Sequence, residues 1–203
     1  MPDPKDMWNR VYGEDHYAYG EAPNDFLAAH VDKLPANGKV LCLAEGEGRN
    51  GVFLAEQGHD VTGVDISEAG QKKALALADK RGVRLDYVLE DLATFDLGDA
   101  RYDAIVSVFC HGPAPLRVPL HEKVVRALKP GGVFLLEAYT PEQVGRGTGG
   151  PPIPEMMHSK AQLEVELHGL VFDHLVELER DVIEGKKHTG TASVVQCLAH
   201  KPS

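Results

Sequence analysis

From residue 39 to residue 139, short apolar runs alternate with segments whose apolar residues recur at helical spacing. An unbroken apolar run of four to eight residues is typical of a strand that is covered on both faces. Strands that alternate with helices predict a parallel sheet, because each strand must be followed by a crossover before the next one starts at the same edge. The chain is therefore expected to form an α/β domain with a doubly wound, mostly parallel sheet.

The boundaries of these elements follow from apolar periodicity, glycines and helix-capping residues. Helices are expected over residues 49–57, over 67–80 with Ser67 as N-cap and an end before Gly82, and over 119–128. The expected strands span residues 39–44, 60–64, 84–89, 102–108 and 132–138, with two further β-like runs at 170–183 and 193–200. The turn-rich link between the last two runs predicts an antiparallel C-terminal hairpin, for seven strands in all. We expect one domain over 1–203, with an N-terminal helical cap (1–36), a core (37–140), and a lid segment with the hairpin (141–203).

Composition limits the partners that such a domain can have. The formal net charge is −10, and no stretch concentrates Lys and Arg, so a nucleic-acid partner is not expected. No apolar run reaches the length of a membrane span, and the polar N-terminus does not resemble a secretory signal. Neither CxxC nor HxxxH occurs, so no metal site is expected. These features predict a cytoplasmic monomer or homodimer that acts on a small molecule.

A glycine-rich turn follows the first expected strand. Residues 46–51 fit GxGxxG, and Asp65 stands nineteen positions after Gly46, at the end of the second strand. This pattern permits a nicotinamide dinucleotide, whose pyrophosphate would lie against the turn and the helix N-terminus. Glu45 and Glu47 would repel that phosphate. A cofactor with a cationic end and no phosphate fits the turn better.

Residues 45–48 resemble motif I of class I S-adenosylmethionine-dependent methyltransferases, with Glu45 where Cys or a small residue is common. The resemblance implies a Rossmann-like fold and S-adenosyl-L-methionine as cofactor. It implies that Asp65 binds the ribose hydroxyls and that Ile66 and Asp91 lie beside the adenine, although Asp65 also fits a helix-cap role. The implied cofactor-binding residues are Glu45, Gly46, Glu47, Gly48, Asn50, Asp65, Ile66, Asp91, Leu92 and Phe109.

Residues 48–65 further resemble the tellurite-resistance branch of that class, to which thiopurine methyltransferases are more distantly related. The likeness extends to Tyr102-Asp103, to the Pro130-Gly131-Gly132 turn and to Gly185-x-x-His188-x-Gly190. The branch usually has Ser where Gly51 stands. Its enzymes methylate small soft nucleophiles, which implies a thiol or a chalcogen oxyanion as acceptor.

Three side chains are candidates for work on the acceptor, and each has a structural alternative. His111 follows the fourth strand, where it could accept a proton or simply bond to backbone. His188 could meet an anionic substrate, or it could belong to a solvated basic turn. Tyr17 could cap the substrate pocket or be a core aromatic, and residues 145–154 could form a lid.

Two other functions fit parts of this pattern. A non-catalytic S-adenosylmethionine-binding protein would have the same turn without a productive acceptor site. An NAD-dependent oxidoreductase would explain the GxGxxG match, although the acidic turn opposes it.

Overall fold

Seven strands form a single mixed sheet in the computed structural model, which describes residues 3–203. The strands are β1 (Lys39–Leu43), β2 (Asp60–Asp65), β3 (Asp86–Leu89), β4 (Tyr102–Val108), β5 (Leu128–Tyr139), β6 (Val171–Glu184) and β7 (His188–His200). Their order is β3-β2-β1-β4-β5-β7-β6, with β1 to β5 parallel and β7 antiparallel to both of its neighbours. The predicted Rossmann-like α/β fold with a C-terminal antiparallel hairpin is confirmed.

Within residues 3–203, six α-helices flank the sheet: α1 (Pro4–Tyr12), α2 (Asp25–Ala29), α3 (Arg49–Glu56), α4 (Glu68–Arg81), α5 (Ala114–Ala127) and α6 (Lys160–Glu166). Short 3-10 helices span Val31–Lys33, Pro141–Gln143 and Pro154–Met156. Helix α4 has the predicted boundaries, since the Ser67 hydroxyl accepts the Gly70 N–H and Gly82 ends the helix with φ +69°. Residues 1–2 of the expected cap lie outside the described residues.

Three elements begin earlier than the sequence predicted. Strand β5 starts at Leu128 rather than at residue 132, because Leu128 already pairs with Tyr102 of β4. Helix α5 starts at Ala114 rather than at residue 119, because Pro115 falls in the first turn, where a missing N–H costs nothing. Strand β7 starts at His188 rather than at residue 193, and Glu184 pairs with His188 across a turn of only three residues. The earlier start of β7 changes the setting of His188, because this residue belongs to the strand and not to a loop.

The core has two layers, one on each face of the sheet. In β1, Leu41 and Leu43 belong to one apolar cluster, while Val40 and Cys42 belong to the other, as alternation along a strand requires. Helices α5 and α6 contribute to the first cluster, and α3 and α4 to the second. The central strands β1, β4 and β5 are therefore buried on both faces, which explains their unbroken apolar runs.

None of the helices within 3–203 combines the length and the apolar composition that a bilayer span requires. Over the same described residues, no group of three or more His, Cys, Asp or Glu is arranged to hold a metal ion. The three cysteines carry free thiols, with Cys42 and Cys197 buried.

Candidate functional site

The glycine turn between β1 and α3 lies at the carboxyl edge of the parallel strands, where open α/β sheets bind ligands. Gly46 and Gly48 both have left-handed backbones, with φ of +58° and +92°. A Cβ atom on Gly46 would lie 2.7 Å from the Tyr12 hydroxyl, and one on Gly48 would lie 2.7 Å from the Cα atom of Ala74. Both positions therefore require glycine, for conformation and for space.

Asp65 ends β2 directly beside this turn. Its carboxylate accepts the Gly46 N–H at 3.0 Å and the Ser67 N–H at 2.9 Å, so it braces the turn and the start of α4 together. Burial raises the pKa of Asp65, and these backbone hydrogen bonds partly oppose the rise. No Lys, Arg or His in the described part of the chain pairs with it. A buried carboxylate without a cation suits neutral hydroxyl groups, such as those of a ribose, and not a phosphate.

Glu45 points into the protein, where it caps α3. Gly48 has no side chain to cap this helix, and the Glu45 carboxylate accepts the Gly51 N–H at 2.6 Å instead. A Cβ atom on Gly51 would lie only 3.0 Å from that same carboxylate oxygen. Burial raises the pKa of Glu45 to about 7. Glu45 departs from the usual motif I, and Gly51 departs from the tellurite-resistance pattern. The two departures thus occupy one space and compensate for each other.

Glu47 fastens the N-terminal segment to α4. Its carboxylate accepts the Ala18 N–H at 2.7 Å and pairs with Lys73 at 2.8 Å, and Lys73 also donates to the His16 carbonyl at 2.6 Å. This pairing neutralises one of the two charges that were expected to repel a phosphate. The expected repulsion is therefore weaker than two free carboxylates would produce, and Asp65 is the better argument against a dinucleotide.

The remaining predicted cofactor residues divide into two groups. Ile66 and Leu92 are half-buried apolar side chains that follow the paired strands β2 and β3. Asp91 is exposed, and its carboxylate accepts the Ala93 N–H at 2.9 Å within its own turn. Asn50 is buried and accepts the Asn24 N–H at 2.9 Å, so it holds the N-terminal segment in place.

Phe109 belongs to an aromatic cluster, which we define as Tyr19, Phe109, Tyr139 and His188. The ring of His188 lies 4.4 Å from that of Tyr19, 4.7 Å from that of Phe109 and 5.2 Å from that of Tyr139, between centroids. Phe109 has an unusual left-handed backbone, with φ +50°. Two buried polar atoms in the cluster, Tyr139 Oη and His188 Nδ1, have no hydrogen-bond partner. Strain and unsatisfied polar atoms together indicate a ligand site.

The segment predicted as a lid lies over this cluster. A Cβ atom on Gly149 would lie 2.6 Å from Tyr139 Oη and 2.7 Å from the His188 ring, so only a glycine backbone fits there. The Gln143 side chain donates to Thr148 Oγ1 at 2.8 Å and to the Gly149 carbonyl at 3.1 Å, which ties the loop down.

The three predicted catalytic residues have different surroundings. His111 Nε2 accepts the Tyr139 N–H at 3.0 Å, and burial with nearby His188 lowers the pKa of His111 to about 3, which favours the structural alternative. Tyr17 donates to the Lys73 carbonyl at 3.2 Å, against α4 and apart from the cluster, where Tyr19 is found instead. His188 is buried, so its interpretation as part of a solvated turn is wrong.

A buried ionic network, which sequence reasoning missed, joins the glycine turn to the hairpin. Arg49 pairs with Glu184 at 2.6 Å, and Arg180 pairs with Glu137. The Asn24 amide donates to both carboxylates at 2.8 Å. The one signal in the sequence was Glu137, a charged residue inside the apolar run of β5.

Residues 40–132 match the family described as Methyltransferase domain. The matched segment runs from β1 into β5. Residues 45–66, which contain the glycine turn and Asp65, lie inside the matched segment.

Among curated proteins, the chain is 30% identical over 128 residues to YqeM of Bacillus subtilis, whose name describes a methyltransferase; the alignment covers 59% of this chain and 50% of YqeM. It is 35% identical over 112 residues to the ubiquinone biosynthesis O-methyltransferase of Idiomarina loihiensis, covering 53% of this chain and 44% of that protein. The chain thus spans half or less of the length of these relatives.

Among solved structures, TehB from Haemophilus influenzae superposes with a TM-score of 0.71 at 19% identity, over 97% of this chain and 66% of that one. A structure from work on conversion of a disulfide bond into a thioacetal group during echinomycin biosynthesis gives a TM-score of 0.76 at 18% identity, over 98% of this chain and 93% of that one. These likenesses show the shared fold.

Proposed function

We propose that this protein transfers a methyl group from S-adenosylmethionine to a small-molecule acceptor, a thiol or a chalcogen oxyanion. The observation that carries the proposal is Asp65, a buried carboxylate without a cation beside two left-handed glycines. The likeness of residues 48–65 to the tellurite-resistance branch, and the fold shared with TehB, support the choice of acceptor.

The residues around the turn fit the cofactor in chemical type. Asp65 would accept the ribose hydroxyls, Ile66 and Leu92 would contact the adenine, and Asp91 would accept the adenine amino group. Gly46 and Gly48 would let the backbone approach closely. When bound, the sulfonium supplies an electrophilic methyl group to a nucleophile held in line with it, so the protein contributes alignment and exclusion of water.

The acceptor would bind at the aromatic cluster, under the loop at 145–150. This loop covers Tyr139 and His188, and its opening would admit the acceptor. We infer a protein that functions as a monomer or homodimer, without nucleic acid or membrane as partner, because the net charge is −10 and basic residues are not clustered.

Calorimetric titration with S-adenosylhomocysteine and, separately, with NADH tests the cofactor. We expect S-adenosylhomocysteine to bind and Asp65→Ala to weaken it about 100-fold, because hydrogen bonds to a carboxylate are worth about 1.5–3 kcal/mol each. Asp60→Ala is the matched control, since Asp60 is exposed at the opposite end of β2. Binding of NADH alone would refute the proposal and favour an oxidoreductase.

Turnover is tested with thiols, selenite and tellurite as acceptors. Methylation of at least one of them supports the proposal. Binding of S-adenosylhomocysteine without methylation of any acceptor would favour a non-catalytic binding protein instead.

A further inference from the structure

Glu184 and His188 face each other across the three-residue turn of the C-terminal hairpin. Glu184 ends β6, His188 begins β7, and the two residues are paired in the strand register. The Glu184 Oε2 atom lies 4.0 Å from His188 Nδ1. Both side chains are buried. The 4.0 Å separation is too long for a hydrogen bond, and Nδ1 has no hydrogen-bond partner.

Glu184 is held firmly in its ionised form. Its carboxylate accepts hydrogen bonds from Arg49 at 2.6 Å and from Asn24 at 2.8 Å. Burial alone would raise the pKa of Glu184, but the nearby His188 and the hydrogen bonds from Arg49 and Asn24 outweigh burial and lower the pKa to about 2. Glu184 therefore presents a fixed negative charge to the His188 ring.

The His188 ring is buried beside this fixed charge. Burial lowers its pKa, with Glu184 opposing this effect. A neutral ring whose Nδ1 faces a carboxylate carries its proton on Nδ1, which leaves the lone pair on Nε2, at the far side of the ring. The ionisable groups around His188 come from five parts of the chain: Glu184, Arg49, Tyr19, Tyr139 and His111.

The two arginines beside Glu184 are both engaged in ion pairs. Arg49 is paired with Glu184, and Arg180 is paired with Glu137. Within residues 3–203, the polar atoms that the cluster leaves without partners are Tyr139 Oη and His188 Nδ1. Such a site does not stabilise an oxyanion, whereas aromatic walls accept a neutral molecule.

We propose that Glu184 is a positioning residue that orients His188, so that His188 Nε2 removes the proton of a neutral, protonated acceptor. The proton moves from the acceptor to Nε2, the electron pair of the broken bond stays on the acceptor as its nucleophilic pair, and the imidazolium later returns the proton to water. This inference rests on the proposed methyl transfer and selects the protonated nucleophile, such as a thiol, over the oxyanion.

A first experiment measures the tautomer and the pKa of His188 by NMR and does not depend on turnover. Protein with isotope-labelled histidine, saturated with S-adenosylhomocysteine, is titrated with acid by NMR, and His188 is assigned through His188→Asn. We expect the Nδ1–H tautomer in the wild type and its loss, with a lower His188 pKa, in Glu184→Gln. Glu137→Gln is the matched control in the same ionic network, and it should leave the His188 signals unchanged. An Nε2–H tautomer in the wild type would overturn the inference.

A second experiment compares two acceptors of different acidity at pH 7: para-nitrothiophenol, which is already a thiolate, and benzyl mercaptan, which is still protonated. We expect His188→Asn and Glu184→Gln to lower kcat for benzyl mercaptan by about 100-fold, the usual size of a general-base effect, and to change kcat for para-nitrothiophenol by less than about threefold.

Equal losses with both thiols would mean a merely structural role and would overturn the inference. Methylation of selenite or tellurite with no turnover of either thiol would also overturn it, while leaving the proposed methyl transfer intact. Failure of S-adenosylhomocysteine to bind would instead refute the proposed function itself.

Discussion

Glu45, Glu47 and Asp65, the three buried carboxylates around the glycine turn, all accept backbone hydrogen bonds. Tyr139 and His188, at the other side of the same sheet edge, each keep one buried polar atom without a partner. We call the first region the cofactor half and the second the acceptor half. Because a buried polar atom without a partner costs about 1–3 kcal/mol, the acceptor half is the less stable of the two as it stands.

This difference matches the ligands that we propose for the two halves. In the cofactor half, internal hydrogen bonds fix the backbone around Gly46 and Asp65, so the site is formed before its ligand arrives. In the acceptor half, Tyr139 Oη and His188 Nδ1 leave hydrogen-bonding capacity for a ligand or for a closer contact with Glu184. Preorganisation and unsatisfied groups are two separate signatures of the proposed active site.

The largest expected effect comes from breaking the ionic network that joins the two halves. Arg180→Met leaves Glu137, which is completely buried, without its cation, and should lower the free energy of unfolding by about 3 kcal/mol. Urea denaturation measures this loss of unfolding free energy. Arg126→Met removes an exposed pair with Asp99 and should cost less than about 1 kcal/mol. Equal effects of the two substitutions would contradict a role for the buried network in stability.

A pH-dependent effect should separate Glu45 from the other carboxylates. Its pKa is raised from 4.5 in the unfolded chain to about 7, so its contribution to stability is complete below pH 4.5 and is lost as pH rises through 7. Relative to Glu45→Gln, the wild type should lose about 2–3 kcal/mol of unfolding free energy between about pH 4.5 and pH 8. Denaturation at several pH values measures this, and a pH-independent difference between the two proteins would disprove it.

A matched pair of Tyr→Phe substitutions compares the halves directly. Tyr87 donates to the Gly46 carbonyl at 2.7 Å in the cofactor half, so Tyr87→Phe should destabilise the fold by about 1 kcal/mol. Tyr139→Phe removes a buried hydroxyl without a partner and should stabilise the fold by about 1 kcal/mol. Thermal unfolding measures both changes. Shifts in the same direction would remove the distinction between the two halves.

The smallest expected effect is a change of sign in how Gly51→Ala alters the stability of the fold. In the wild type, Gly51→Ala should destabilise the fold by about 1 kcal/mol, because the new Cβ atom would crowd the Glu45 carboxylate. In the Glu45→Ala background the same change should stabilise α3 by about 0.5–1 kcal/mol, through the better helix propensity of alanine. A double-mutant cycle measures this coupling, and additive effects would show that the two residues act independently.

The elements that the sequence predicted well are those set by local patterns. Ser67 and Gly82 mark the ends of α4, and apolar runs mark β1 and β4 within one residue of their bounds. The starts of α5 and β7 were misplaced by five residues each. Local patterns alone could not place either start. The prolines at the start of α5 resemble helix breakers, and the pairing of His188 with Glu184 depends on the opposite strand.

By itself, the sequence determined the fold class, the glycine turn and the place of Asp65, because each depends on residue type and on spacing along a short stretch of chain. Only the tertiary structure decided which side chains face each other. It placed Tyr19 rather than Tyr17 in the aromatic cluster and brought Arg49 to Glu184 from 135 positions away. Contacts over such separations depend on how strands and loops meet at the edge of the sheet, and no local pattern encodes them.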